Sequence, residues 1–144
     1  MGLKTKLDSL LYYYMTDKTT ILRAFNTHFF DFIDELIVIF PENSDIANSK
    51  TSFTFFKKAN PTCIIKAWYK YVYVPYKDII ASGDISFFFE KDYQKDLNDL
   101  SNPGEIMKVI DSLREPIRNM GDTNQAHSMK YIQNLCKLSD IYSA

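Results

Sequence analysis

The chain carries two histidines, His28 and His127, and two cysteines, Cys63 and Cys136. A thiolate beside an imidazole is a competent nucleophile, because the ring can take the thiol proton and return it to a leaving group. These four residues are far apart in sequence, so only tertiary folding could assemble such a pair. His28 also falls inside a strongly periodic helical stretch, where a packed imidazole with one satisfied nitrogen is the expected role. Neither CxxC nor a Cys/His spacing suited to zinc occurs. We expect two reduced, buried thiols, with no metal and no cofactor.

Acidic residues offer a second chemistry. Asp92, Asp96 and Asp99 follow steps of four and three, so on a helix they would share a face that could meet Mg²⁺ or Ca²⁺. Lys91 and Lys95 intervene and the calcium-loop spacing is missing, so a solvated charged face is the expectation. Phosphate-cradling loops need clustered glycines, whereas those at 2, 83, 104 and 121 are isolated. The nucleophile elbow GxSxG and the zinc motif HExxH are likewise absent from the sequence. The sequence thus predicts a protein that is not an enzyme.

Two further features bear on binding. In "GDISFFFEKDY", Phe87, Phe88 and Phe89 would spread over about 200° of a helix surface, wider than an ordinary core stripe. They form either a plug inside the fold, the favoured reading, or an interaction site for a protein partner or a second copy. In addition, Lys50, Lys57, Lys58, Lys66, Lys70 and Lys77 run without an acid until Asp78, interleaved with Trp68, Tyr69, Tyr71, Tyr73 and Tyr76. Cations for phosphates and rings for bases are what single-stranded nucleic-acid readers use. Lys57, Lys58, Lys66, Lys70, Trp68 and Tyr69 are therefore the candidates for an alternative nucleic-acid role. Against it stand a net charge of −1 and a pI near 6.1.

The elements that would position these residues read as helices. Leu22, Phe25, Phe29, Phe32, Leu36 and Ile39 recur at steps of three and four, ahead of a stop at Pro41. Leu3, Leu7, Leu10, Leu11 and Tyr14 make a shorter stripe before them. Ser44 or Asp45 could cap a helix carrying Ile46, Phe53 and Phe56. Asn60-Pro61 and Asn102-Pro103 each present an N-cap followed by proline at the first helical position. The first would open a helix with Ile64, Ile65, Trp68 and Val72. The second would open one with Ile106, Val109, Ile110 and Leu113, ended or kinked by Pro116. A last helix carries Met129, Ile132, Leu135, Cys136 and Leu138. "SFTFF", "WYKYVYV" and "DISFFF" could instead be short strands, but no Asn-Gly or Asp-Gly hairpin turn separates them. The expectation is a compact all-α single-domain bundle, residues 1–144, of about five to seven helices.

At 16.8 kDa, with 46% hydrophobic and 24% charged residues, the chain can bury a core of its own. The N-terminal "MGLKTKLDSLLYYYMT" lacks the features of a signal peptide, and Lys6 stands where a myristoylation signal needs Ser or Thr. No apolar run reaches bilayer length. A soluble, intracellular protein with no membrane insertion is expected.

The stretches "FNTHFFDFIDELIVIFPENSDI", "KKANPTCIIKAWYKYVYVPY", "IASGDISFFFEKDY" and "YIQNLCKLSDIY", about half of the chain, resemble a group of uncharacterised small proteins encoded by large double-stranded DNA viruses of eukaryotes, the giant viruses. The Lys-, Ile-, Asn-, Tyr- and Phe-rich composition also fits an AT-rich genome. The resemblance implies the host cytoplasm or the virion as location and carries no catalytic residues. Together these readings predict a non-catalytic protein-interaction or structural component of viral origin, with the nucleic-acid role as alternative.

Overall fold

The structure is a computed structural model and describes residues 17–86, 109–110 and 112–144. The expected helix over Leu3–Tyr14, the Phe87–Phe89 cluster, the acids Asp92, Asp96 and Asp99, and the Asn102-Pro103 start lie outside the described residues. Within them the chain is all-α, with no strand: α1 Lys18–Ile39, α2 Ser44–Ala59, α3 Cys63–Trp68, a π-helical turn Tyr69–Tyr73, α4 Val74–Ala81, α5 Arg114–Arg118 and α6 Asp122–Ser143. The strand reading of "SFTFF" and "WYKYVYV" therefore fails. Both segments have their apolar residues at helical steps. No helix among the described residues is long and apolar enough to cross a membrane.

Helix α1 begins where Asp17 caps it, its carboxylate accepting from the Thr20 amide at 3.1 Å and the Thr20 hydroxyl at 2.6 Å. Ile21, Phe25, Asn26, Phe29, Phe32, Ile33 and Leu36 form its buried face. Leu22 and Ile39, expected on that stripe, are only half-buried. Asn43, rather than Ser44 or Asp45, caps α2, its Oδ1 accepting from the amides of Asp45 and Ile46. Asn60 does act as a start signal, but one step removed. Its Oδ1 takes the Thr62 amide in a turn, and the helix opens at Cys63 rather than at Pro61. Pro116 does not terminate a helix. It sits in the first turn of α5, where a missing N–H leaves no intrahelical bond unmade.

Helices α3 and α4 are one rod joined by the π turn, in which the Val74 amide reaches back five residues to the Tyr69 carbonyl. Pro75 follows at once. An ordinary α-turn there would drive the proline ring into the Tyr71 carbonyl, and the wider turn relieves that clash. The same turn serves packing. Buried Trp68, Val72, Tyr76 and Ile80 succeed one another at steps of four, which 3.6 residues per turn would carry about 40° off line each time. The extra residue takes up that drift and keeps the four on one side.

Helix α1 packs against α6, α2 and α3, and α6 also covers the π turn and α4. Phe29 is the hub of the shared core. Its ring meets Phe53 at 4.7 Å edge-on, Trp68 at 6.1 Å and Phe25 at 6.1 Å. Aromatic pairs of this geometry add roughly 0.5–1.5 kcal/mol each beyond burial.

Candidate functional site

The thiol route fails at the sulfur atoms. Cys136 on α6 is buried and accepts the Trp68 indole N–H at 3.3 Å. Burial pushes its thiol up to about 12, and the indole bond offsets this only in part. Cys63 donates to the Phe56 carbonyl at 3.3 Å, and burial raises its thiol as well. Both sulfurs are protonated at neutral pH, so neither is the activated nucleophile that such catalysis needs. The expectation of reduced thiols is met in both, although Cys63 is half-buried rather than buried.

The two histidines do meet, on a tyrosine. His28 of α1 and His127 of α6 lie with ring centroids 4.6 Å and 5.7 Å from that of Tyr131, which also stacks on Phe32 at 5.2 Å. Glu35 completes the cluster, 4.0 Å from His127 Nε2. Burial first, and the charges of Glu35 and Asp31 second, raise the Tyr131 phenol, so it stays protonated. The cluster joins α1 to α6 without a reactive group. Among the described residues, no group of three or more His, Cys, Asp or Glu side chains is placed to hold a metal.

His28 leaves a pH signature. Its Nε2 is buried with no hydrogen-bond partner. Desolvation lowers its pKa below 6.5, opposed by the Asp31 charge. A lowered folded pKa means that the unfolded chain binds the proton first, so stability is intact above about pH 6.5 and is lost as pH falls through that value toward the folded pKa. Denaturant midpoints at pH 7.5 and 5.5 should therefore fall further for the wild type than for His28→Gln. Equal losses would show that His28 titrates freely.

The basic block is only partly a surface. Lys57, Lys58, Lys66 and Lys70 are all exposed, on the end of α2, on α3 and on the π turn. Lys57 lies over the Phe30 ring at 5.3 Å and Lys70 over Tyr71 at 5.3 Å. Trp68, expected to stack on a base, is instead 1% exposed and packed against Phe25, Phe29 and Cys136. The helical phase that turns Ile64, Ile65 and Val72 inward turns it inward too. Tyr69 is half-buried and stacked on Tyr73 at 5.7 Å.

The exposed aromatic that the sequence reading missed is Phe55. It is 69% exposed on α2, about 200° around the helix from buried Phe53. Lys50, Thr51, Thr54 and Lys58 frame it in a shallow hollow of about 370 Å³. Lys50 is held by Asp34 at 2.6 Å. The signal was in the sequence, because Phe55 lies off the stripe that joins Ile46, Phe53 and Phe56.

A larger open groove of about 670 Å³ runs between α1 and α6. Ile21, Ala24, Thr27, Leu138 and Ile141 line it, with Arg23, Asp31 and Lys137 also at its walls. Ala24 and Thr27 are exposed within it.

In comparisons with protein-family models, with curated proteins and with solved structures, the chain matches none.

Proposed function

We propose that the protein works without catalysis, as a protein-interaction or structural component, and that Phe55 is the centre of its contact surface. One observation carries this reading: a phenylalanine stands 69% exposed in a hollow between two lysines, outside a core already filled by other aromatics. A ring so placed adds nothing to the core and is the kind of anchor that dominates interface energies. The chemistry that fits it is a protein surface with an apolar pocket for the ring and carboxylates at the rim, opposite Lys50 and Lys58. Resemblance to proteins of large DNA viruses supports the host cytoplasm or the virion as the setting.

Affinity capture with mass spectrometry, run in parallel on the wild type and Phe55→Ala, tests the assignment. The substitution should leave the denaturant midpoint within about 0.5 kcal/mol of wild type, as surface changes do. Loss of an anchor of this type weakens a complex by about 2 kcal/mol or more, so the captured protein should disappear. High salt should weaken capture by screening the lysines. Identical capture by both proteins would sink the assignment.

A lysine-framed ring could also receive a base, which makes the nucleic-acid alternative an outcome to be measured. With Lys50 paired, Trp68 buried and a net charge of −1, binding to labelled single-stranded DNA or RNA should be no tighter than about 10⁻⁴ to 10⁻⁶ M at physiological salt. Sub-micromolar affinity by fluorescence anisotropy, lost on Lys66→Glu/Lys70→Glu, would replace the protein partner with nucleic acid.

A further inference from the structure

The groove between α1 and α6 is a second apolar surface, independent of the Phe55 hollow. Along α1 it extends from Thr20 to Asp31, about 17 Å at 1.5 Å per residue. Its floor and walls are aliphatic, from Ile21, Leu138 and Ile141. The exposed positions inside it, Ala24 and Thr27, are small. This shape admits a second helix at close range and asks of it one apolar stripe about three turns long.

The chain itself contains such a stripe. Leu3, Leu7, Leu10, Leu11 and Tyr14 recur at helical spacing over twelve residues, about 18 Å if helical. They precede α1 directly. Only Met15 and Thr16 separate Tyr14 from Asp17, the residue that caps α1 at the Thr20 end of the groove. Short links of this kind join antiparallel helix pairs. We propose that the α1–α6 groove is the docking site of the chain's own Leu3–Tyr14 stretch, laid back antiparallel along α1.

Charge order agrees with this direction. Tyr14 falls at the Thr20 end and Leu3 at the Asp31 end, which brings Lys4 and Lys6, flanking the stripe, to the level of Asp31. Asp8 falls within about a turn of Lys137 on α6. A parallel placement would need a long link back across the groove, and two residues cannot span about 17 Å at roughly 3.3–3.6 Å each.

Hydrogen exchange on the full chain, followed by mass spectrometry, tests the proposal. In the wild type the amides of residues 3–14 should be protected by at least about tenfold, since docking holds a stretch that would be marginal as an isolated helix. Ala24→Arg/Thr27→Arg fills the groove from exposed positions, and should abolish that protection while exchange in α1, α2 and α6 is unchanged. Leu7→Asp should release the same amides without touching any described helix, and it decides the matter if the groove variant loses its core protection. Absence of protection in the wild type would overturn the proposal. So would protection that survives Leu7→Asp, or protection that survives the groove variant with its core intact. Protection that rises with protein concentration, alongside a dimer in sedimentation velocity, would overturn it in favour of a stretch supplied by a second copy.

Discussion

Replacing Phe29 by alanine is expected to destabilise the protein by about 3 to 5 kcal/mol, the usual cost of emptying a buried phenylalanine site. Phe29 is fully buried and its ring touches Phe25, Phe53 and Trp68, which come from three different helices. Those neighbours are large and are themselves held by other contacts, so the void cannot easily collapse. The pair Phe29→Ala and Phe55→Ala makes the contrast quantitative, because both delete the same ring from a helix. Urea melts should show a large drop in midpoint for the first and almost none for the second. A drop of less than about 1 kcal/mol for Phe29→Ala would mean that the aromatic hub is not what joins α1, α2 and α3.

The second large effect is expected at Asn26→Asp. Asn26 is 5% exposed on the inner face of α1, and its Nδ2 donates to the Pro61 carbonyl at 3.0 Å, pinning the link between α2 and α3. An aspartate there loses the donor, sets a carboxylate against a carbonyl oxygen and buries an unpaired charge. At neutral pH the cost should be about 3 kcal/mol or more. The sign with pH distinguishes charge from shape. Burial raises the folded carboxyl above its ordinary value near 3.9, so the native state binds more protons than the unfolded one and stability falls as pH rises through that range. The gap between variant and wild type should therefore be small at acid pH and widen toward neutrality. A gap that does not change with pH would assign the loss to the missing hydrogen bond alone.

The helical stripes were legible because burial on one side imposes a period. Phe25, Phe29, Phe32 and Leu36, or Met129, Ile132, Leu135 and Cys136, mark their inner faces without help from any partner. Capping was legible in kind but displaced in place: Asn43 took the role expected of Ser44 or Asp45, since several neighbouring oxygens could serve and backbone geometry selects among them. Phe55 was legible and was missed. Its angle from Phe53 was available, whereas its framing by Lys50 and Lys58 depends on the helix being formed.

The sequence by itself determined the helical class, the inward direction of each apolar stripe and the absence of the familiar phosphate, zinc and nucleophile motifs, because these rest on local spacing and residue type. It could not say what becomes of a group whose chemistry depends on its neighbours. Trp68 was a base-stacking candidate by composition, and only the packing of α3 against α1 and α6 made it a core residue bonded to Cys136. His28 and His127 were two unrelated imidazoles until α1 and α6 brought both onto Tyr131. The thiols were ordinary until burial raised them. The groove between α1 and α6 exists only as a relation between two helices far apart in sequence. Desolvation, ring contact and concavity are properties of what surrounds a residue, and those surroundings are assembled by contacts that no local pattern encodes.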